Sequence, residues 1–348
     1  MAKLTFVLLL LHVANGFSFI SFITSAVADS NFLSSPLEFL ECRFRECCSE
    51  ALHFDANTYF RHLSENLHGQ HIAVERLYYH VKAHLEDPNP RRSLALSLHG
   101  FTGVGKNYAT SILASNLFKK GERSRFYHFF DATVDFLFKD SVDLYKEKVL
   151  DLIANGVRSC GRSMFVFDEV HKMPAGILDA IVPLLGYAES INGVDYRKAI
   201  FVFMGNGGAS VINEFAYKVL NSGKKRTSIQ YGDLRRALAA SVYNEKGAFE
   251  YSDLIKQHAI TAVIPFLPLQ EVHVRQCIGD AARRMAVEVN EEMEEFVLNE
   301  LDWEPERSRI FSTSGCKLVY DKVGFYLQQS LFANEKGVIA QPSEHGEL

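Results

Sequence analysis

The sequence predicts a P-loop α/β domain, a parallel sheet flanked by helices, followed by a small C-terminal helical domain. Three observations predict it. The apolar runs at 94–98, 164–167 and 199–204 are short and continuous, as in strands buried on both faces. Segments of helical period alternate with them, the pattern of a parallel sheet with crossover helices. One glycine loop, residues 97–107 (Ser-Leu-His-Gly-Phe-Thr-Gly-Val-Gly-Lys-Asn), joins the first run to a helix start.

The chain begins with a secretory-type stretch. Lys3 supplies a positive start and residues 4–11 an apolar core, and residues 1–28 as a whole read as a signal peptide or hydrophobic N-terminal segment. Two small-x-small sites, at 14–16 and 26–28, compete for cleavage. Use of the first would leave apolar residues 17–28 on the mature protein, short of the roughly 20 needed to span a bilayer. Residues 29–50 are a Cys-rich linker. The cysteines are Cys42, Cys47, Cys48, Cys160, Cys277 and Cys316. In an oxidising compartment six cysteines allow about 15 connectivities, and Cys160 could equally be a buried thiol. A large domain is expected over 51–266. In it Asp55 or Asn57 caps a first helix, and residues 72–84 form a second, ended by Asp87-Pro88-Asn89-Pro90. The strand, glycine loop and helix follow. A second strand is expected at 127–130, and helices at 144–153 and 177–185. The proline-rich passage 264–269 crosses between domains. The small helical domain is expected over 267–335, with helices at 271–285 and 288–300. A tail over 336–348 ends His-Gly-Glu-Leu, a loose relative of an endoplasmic-reticulum retention signal.

Composition bounds the function classes. The chain has 348 residues, 47% of them hydrophobic, and a formal net charge of −5. That charge leaves no electrostatic footprint for nucleic acid. No Asn-x-Ser/Thr sequon occurs.

The spacing Gly100-x4-Gly105-Lys106 fits a phosphate-binding loop, with Asn107 where Ser or Thr is usual. Gly100, Phe101, Thr102, Gly103, Val104, Gly105, Lys106 and Asn107 are the expected nucleotide-binding residues. Glycines let backbone N–H groups close around phosphate oxygens, and the helix start adds donors and a positive dipole end. An amide at 107 is a poorer direct Mg²⁺ ligand than a hydroxyl and suits a water-mediated contact. Asp168-Glu169 follow the run 164–167 directly, at the carboxyl end of a strand, where ligands of wound sheets bind. Asp168 is the expected metal partner, with Asn107, and Glu169 the general base on water. Asn206, after the run 199–204, could orient water or touch a γ-phosphate. A Gly-Asn turn is the plainer reading of those residue types. Lys317, in Gly315-Cys316-Lys317, reads from residue type alone as a surface lysine.

The assembled motifs resemble the torsins, AAA+ ATPases of the endoplasmic reticulum lumen and nuclear envelope. The resemblance runs from about Cys42 to Tyr326. Residues 97–107 match the torsin Walker A, Asn107 included, and residues 165–169 match Walker B. Asn206 falls at sensor 1, and Gly315-Cys316-Lys317 matches the Gly-Cys-Lys sensor-2 motif. Glu46-Cys47-Cys48 and Phe266-Leu267-Pro268-Leu269 also match, and Leu67-Gly69-Gln70 resembles the segment near adenine in Clp-type ATPases. The resemblance implies an AAA+ large domain, ATP and Mg²⁺ as cofactors, and catalytic roles for Asp168, Glu169, Asn206 and Lys317. It implies a redox-sensitive Cys277–Cys316 disulfide and membrane association through the N-terminal segment. It also implies weak ATP hydrolysis alone, with a type II membrane protein bearing a lumenal AAA-like domain supplying an arginine in trans. The chain agrees in having no arginine from Ala237 to Val274. Assembly with copies of itself is a further option, and the client is unknown. The expected outcome is a chaperone-like remodeller of protein complexes or membranes. Two rivals remain: a nucleotide-dependent scaffold with negligible turnover, and a threading unfoldase using Phe136 or Phe138, phenylalanines otherwise expected in the core.

Overall fold

The computed structural model describes Cys42 and residues 45–244 and 259–339. The expected signal segment, most of the Cys-rich linker and the terminal tetrapeptide lie outside these residues. The chain divides into a unit over 1–50 and a unit over 51–348. In the first, Cys42 and Cys47 form a disulfide, with Cα atoms 5.2 Å apart.

The second unit opens with α1 (Ala56–Asn66) and α2 (His71–Glu86). Asp55 starts α1 by accepting from the Thr58 amide, which satisfies one of the orphan donors of a helix start. Then come β1 (Leu94–His99), α3 (Lys106–Leu117), β2 (Tyr127–Asp131), α4 (Val142–Ser159), β3 (Met164–Asp168), α5 (Ile177–Ile181), β4 (Ile200–Gly205), α6 (Ala209–Asn221), α7 (Tyr231–Asn244) and β5 (Ala262–Pro265). The five strands form one sheet, order β2-β3-β4-β1-β5, parallel throughout. β1, β3 and β4 are buried at every residue, which explains their unbroken apolar runs. On one face, aromatic rings stack across strands: Phe130 on Phe167 (4.7 Å), Phe167 on Phe203 (5.3 Å) and Phe165 on Phe201 (5.2 Å).

β5 departs from expectation, since residues 264–269 read as a crossing passage. Pro265 masked the strand. Proline cannot donate to a ladder, and β5 tolerates it as the short edge strand and at its last residue. The expected helix 177–185 also splits: α5 ends at Ile181 and a 3₁₀ turn continues to Leu185, with Pro183 inside it.

After β5 the chain forms α8 (Glu271–Arg284), α9 (Glu291–Asn299), a two-stranded ribbon of β6 (Trp303–Glu304) and β7 (Phe311–Ser312), and α10 (Val319–Ile339). Val274, Ile278, Met293, Val297, Trp303, Val319 and Val323 make a separate apolar core here. Arg275 fastens α8 to α9 by pairing with Glu271, Glu294 and Glu295. Among the described residues no helix is long and apolar enough to cross a membrane. Phe136 is buried in the core, as expected, whereas Phe138 is 68% exposed.

Candidate functional site

The parallel sheet sends β1, β3 and β4 out on the same side, so their carboxyl ends converge. Lys106, Asp168, Glu169 and Asn206 meet there. The glycine loop between β1 and α3 depends on backbone that L-residues avoid: φ is +74° at Gly103 and +102° at Gly105. Lys106 opens α3 and turns back under the loop. Its Nζ donates to Gly100 O (2.6 Å), Phe101 O (2.8 Å) and Asn206 Oδ1 (3.1 Å). Burial pulls the ammonium down to about 8, although Asp168 and Glu169 favour its charge. The cation is held beside the loop, where phosphate oxygens would replace those carbonyls.

Asn107 Nδ2 donates to Asp168 Oδ2 at 2.6 Å. The Glu169 amide donates to Asp168 Oδ1 at 2.8 Å. Burial pushes the Asp168 carboxyl up, against these two hydrogen bonds. Glu169 adopts a left-handed conformation, φ +53°, unusual for a side-chain-bearing residue and found mainly at functional sites. Its Oε2 lies 2.8 Å from Lys172 Nζ and 3.3 Å from His171 Nε2.

The residues fit a nucleotide with Mg²⁺. The loop gives a cradle of amides, Lys106 gives a buried cation, and Asp168 gives a carboxylate whose burial favours a cationic neighbour. No cluster of three or more His, Cys, Asp or Glu able to hold a metal occurs among the described residues. Mg²⁺ keeps waters and phosphate oxygens and takes one or two protein ligands, a role the Asp168 carboxylate fits. With its amide nitrogen on Asp168, Asn107 has only its oxygen to offer toward a metal.

A cleft of about 630 Å³ runs from this loop to α8 and α10. Thr102 to Asn107, Asp168, Glu169 and Lys317 line it, as do Cys277 and Cys316. Asn206 reaches the group through Lys106. Lys317 is exposed, and the turn that carries it docks on the loop. Cys316 N donates to Gly103 O at 3.0 Å. The approach is so close that a Cβ on Gly103 would meet Ser314 O at 1.7 Å, and one on Gly315 would meet Gly103 O at 2.4 Å. Cys277 and Cys316 form a disulfide in the cleft wall, Cα atoms 6.1 Å apart. Cys160 is also disulfide-bonded rather than a free thiol.

Of the further participants, Gln70 lies in the segment the resemblance had marked, whereas His99, Arg226 and the cleft face of α8 carried no clear signal. His99 is fully buried at the end of β1. Its Nδ1 faces Gly207 O (2.9 Å) and its Nε2 faces Ser97 Oγ (2.6 Å). A carbonyl only accepts, so Nδ1 carries the proton and Ser97 donates to Nε2. Burial holds this imidazole neutral, down to about 4. It ties the loop strand to the turn bearing Asn206. Gln70 donates to Val104 O and Leu267 O and accepts from Leu267 N, which locks its turn to both the loop and the crossing passage. Arg226 donates to Gly69 O and Pro268 O. Tyr108, His68, Asp280 and Arg284 also line the cleft. Helical spacing of 277, 280, 281 and 284 places them on one face of α8, but nothing in the sequence aims that face at the loop.

A family profile described as Torsin matches residues 42–167, and one described as Torsin-1A, C-terminal domain, matches 269–326. A torsin-like protein of Caenorhabditis elegans is 39% identical over 284 residues, covering 80% of each chain. Among solved structures, an S. cerevisiae Hsp104–ADP complex superposes with a TM-score of 0.58 at 16% identity. It covers 81% of this chain, which spans 48% of the Hsp104 chain. A closed-state reconstruction of Hsp104 with ATPγS and FITC-casein superposes with a TM-score of 0.55, again at 16% identity, covering 81% of this chain and 47% of the other. These likenesses to Hsp104 carry the AAA+ fold. With two family profiles at its two ends and 39% identity across four-fifths of a relative, the chain belongs to the torsin family of AAA+ ATPases.

Proposed function

We propose that this chain binds ATP–Mg²⁺ at Gly100 to Asn107 and hydrolyses it with help from a membrane-bound activator. The carrying observation is the convergence of Lys106, Asp168, Glu169 and Asn206 at one end of the sheet. Lys106 is placed to neutralise phosphate oxygens, and Asp168 with Asn107 to hold Mg²⁺, directly or through water. The metal, when bound, supplies charge stabilisation to the transferring phosphoryl group. Glu169 is the base that takes a proton from water, and Asn206, through Lys106, and Lys317, from the cleft lining, sense the γ-phosphate.

The large domain is assigned to 51–266 and the small helical domain to 267–335. The stretch of sequence without arginine extends to Val274, and Arg275, the next residue, is committed to three glutamates. An arginine supplied in trans by a type II membrane protein with a lumenal AAA-like domain would complete the site. Such a residue raises phosphoryl-transfer rates by about 10³–10⁵. The reading places the protein in the endoplasmic reticulum lumen and nuclear envelope, associated with membrane, as a remodeller of protein complexes or membranes. The disulfide Cys277–Cys316 lies beside Lys317 and would couple redox state to nucleotide sensing.

Glu169→Gln should keep ATP binding, abolish turnover and trap the complex with the membrane partner. ATP binding with no increase in co-purified partner sinks the remodelling cycle. The Asn107–Asp168 bond favours a second reading, a scaffold with negligible turnover, because it occupies the carboxylate oxygen nearest the loop. Failure of every membrane fraction to stimulate wild-type turnover would favour that scaffold.

A further inference from the structure

A further cavity, of about 570 Å³, shares no lining residue with the cleft at the glycine loop. Arg76, Tyr231, Gly232, Asp233, Arg235 and Arg236 line it, where α2 meets the start of α7. His71 ties the two elements together. Its Nε2 faces Ile229 O at 2.9 Å, and a carbonyl only accepts, so the imidazole donates. Leu234 and Leu238 anchor α7 in the core. Arg76 Cζ lies over the Tyr231 ring, 4.2 Å from its centroid, which orients a planar guanidinium in the cavity wall.

Charge in this cavity is out of balance. Three arginines line it against one carboxylate, in a chain whose net charge is −5. That carboxylate is engaged elsewhere: Asp233 Oδ2 accepts from the Gln230 amide at 2.8 Å. Arg76 has an acidic neighbour in Glu75, but Oε1 stands 3.6 Å from Nη2, beyond hydrogen-bond length. Arg76 Nε is buried with no hydrogen-bond partner. Arg235 and Arg236 are exposed, and neither is engaged by a hydrogen bond or ion pair among the described residues. Like charges gathered at one cavity repel, and the start of a helix of 14 residues adds a positive dipole end. An anion from outside the chain would relieve both.

The partners select the anion. A guanidinium fork matches two oxygens of a phosphate. A phosphomonoester carries close to two charges at neutral pH, which suits three cations better than the single charge of a carboxylate or phosphodiester. The volume falls within the range of small-molecule sites. We propose that this cavity is a binding site for a phosphomonoester group, with Arg76 as its oriented fork and Arg235 and Arg236 as flanking cations. The inference goes beyond the ATP-site reading and does not depend on it. A soluble metabolite and a lipid headgroup both present this chemistry, and the test separates them.

The full chain is first saturated with ADP and Mg²⁺ so that the glycine loop is filled, and Lys106→Ala serves as a second way to silence that loop. Inositol monophosphate is then titrated in by calorimetry. In parallel, co-sedimentation is measured with phosphatidylcholine vesicles carrying phosphatidylinositol monophosphate or phosphatidylserine at equal total charge. Arg76→Lys keeps the charge but loses the fork, and should weaken binding about tenfold, the scale of one hydrogen bond to a charged group. Arg235→Ala and Arg236→Ala should each weaken it about two- to fivefold, as exposed charges do. The double change Arg235→Glu and Arg236→Glu should abolish it. Arg123→Ala removes an exposed arginine elsewhere and should change nothing. Melting temperatures equal to wild type show that the variants are folded. Saturable binding of the soluble probe with this pattern supports the site and a soluble source. Binding confined to the phosphoinositide vesicles, with the same pattern, supports the site and a lipid source. Equal binding to both kinds of vesicle without binding of the soluble probe would reduce the cavity to surface charge and overturn the proposal. Binding of neither probe would overturn it too, as would folded Arg235 and Arg236 variants that bind like wild type or no worse than Arg123→Ala.

Discussion

Lys106 is a buried cation whose three partners are oxygen atoms of its own protein. Its pull down to about 8 reflects burial without enough countercharge. Phosphates would supply that charge and push the group back up. The sign follows. Below about pH 7 the lysine is already protonated and ADP binding should be pH-independent. From about 8 upward binding should take up a proton, and affinity should fall by up to about tenfold per pH unit. Titration of Mg²⁺-free ADP at pH 8.5 in buffers of different ionisation heat reads this uptake, and equal observed heats would refute it. Glu169 shows the same economy at a different place: its left-handed backbone and its contact with Lys172 hold the carboxylate at the end of β3.

At the scale of elements, the turn bearing Lys317 and the loop bearing Lys106 are one contact. Ser314 O, Gly103 O and Cys316 N approach with no room for a side chain. Gly103→Ala or Gly315→Ala should therefore part the helical domain from the loop, and positive φ adds strain at both positions. The expected result is a melting temperature lower by several degrees and loss of most of the thermal shift produced by ADP. Retention of the full shift would mean the turn does not contribute to the nucleotide site. The disulfide Cys277–Cys316 ties the same turn to α8 and so limits how far it can move.

At the scale of the molecule, burial lowers the pKa of five histidines among the described residues, His80, His84, His99, His128 and His273, and three of them strongly. Burial takes His84, His99 and His273 each down to about 4, with Arg226 adding to the effect at His273. Their folded values lie below the unfolded value near 6.5, so their stabilisation is complete above about pH 6.5 and is lost as pH falls toward 4. Melting temperature should be flat from pH 7 to 8 and fall steeply from pH 6 to 4.5. A curve flat to pH 4.5 would mean the imidazoles protonate in place. His84 and His99 join distant parts of the fold, to Lys198 O and Gly207 O, while His273 accepts from the Gln270 amide and caps the start of α8. Acid should accordingly loosen the sheet and the domain junction together.

The sequence by itself determined the strands that are buried on both faces, the glycine loop and the carboxylates at the end of β3. Each is written in consecutive residues and obeys local rules of burial, backbone freedom and strand ends. Helix existence was equally legible, from Asp55 capping α1 to the periodic face of α2. Tertiary structure alone decided the rest. β5 was hidden because an edge strand tolerates Pro265. His99 was hidden because its partners, Ser97 and Gly207, are brought together only by the pairing of β1 with β4. Phe136 and Phe138 share a residue type and neighbourhood, yet one faces the core and the other solvent. His68 and Asp280 lie 212 positions apart and meet only because α8 folds back over the loop. Motifs are local because phosphate needs a contiguous cradle; the walls that select the rest of a ligand are assembled from distant segments, and their identity becomes visible only once the chain has packed.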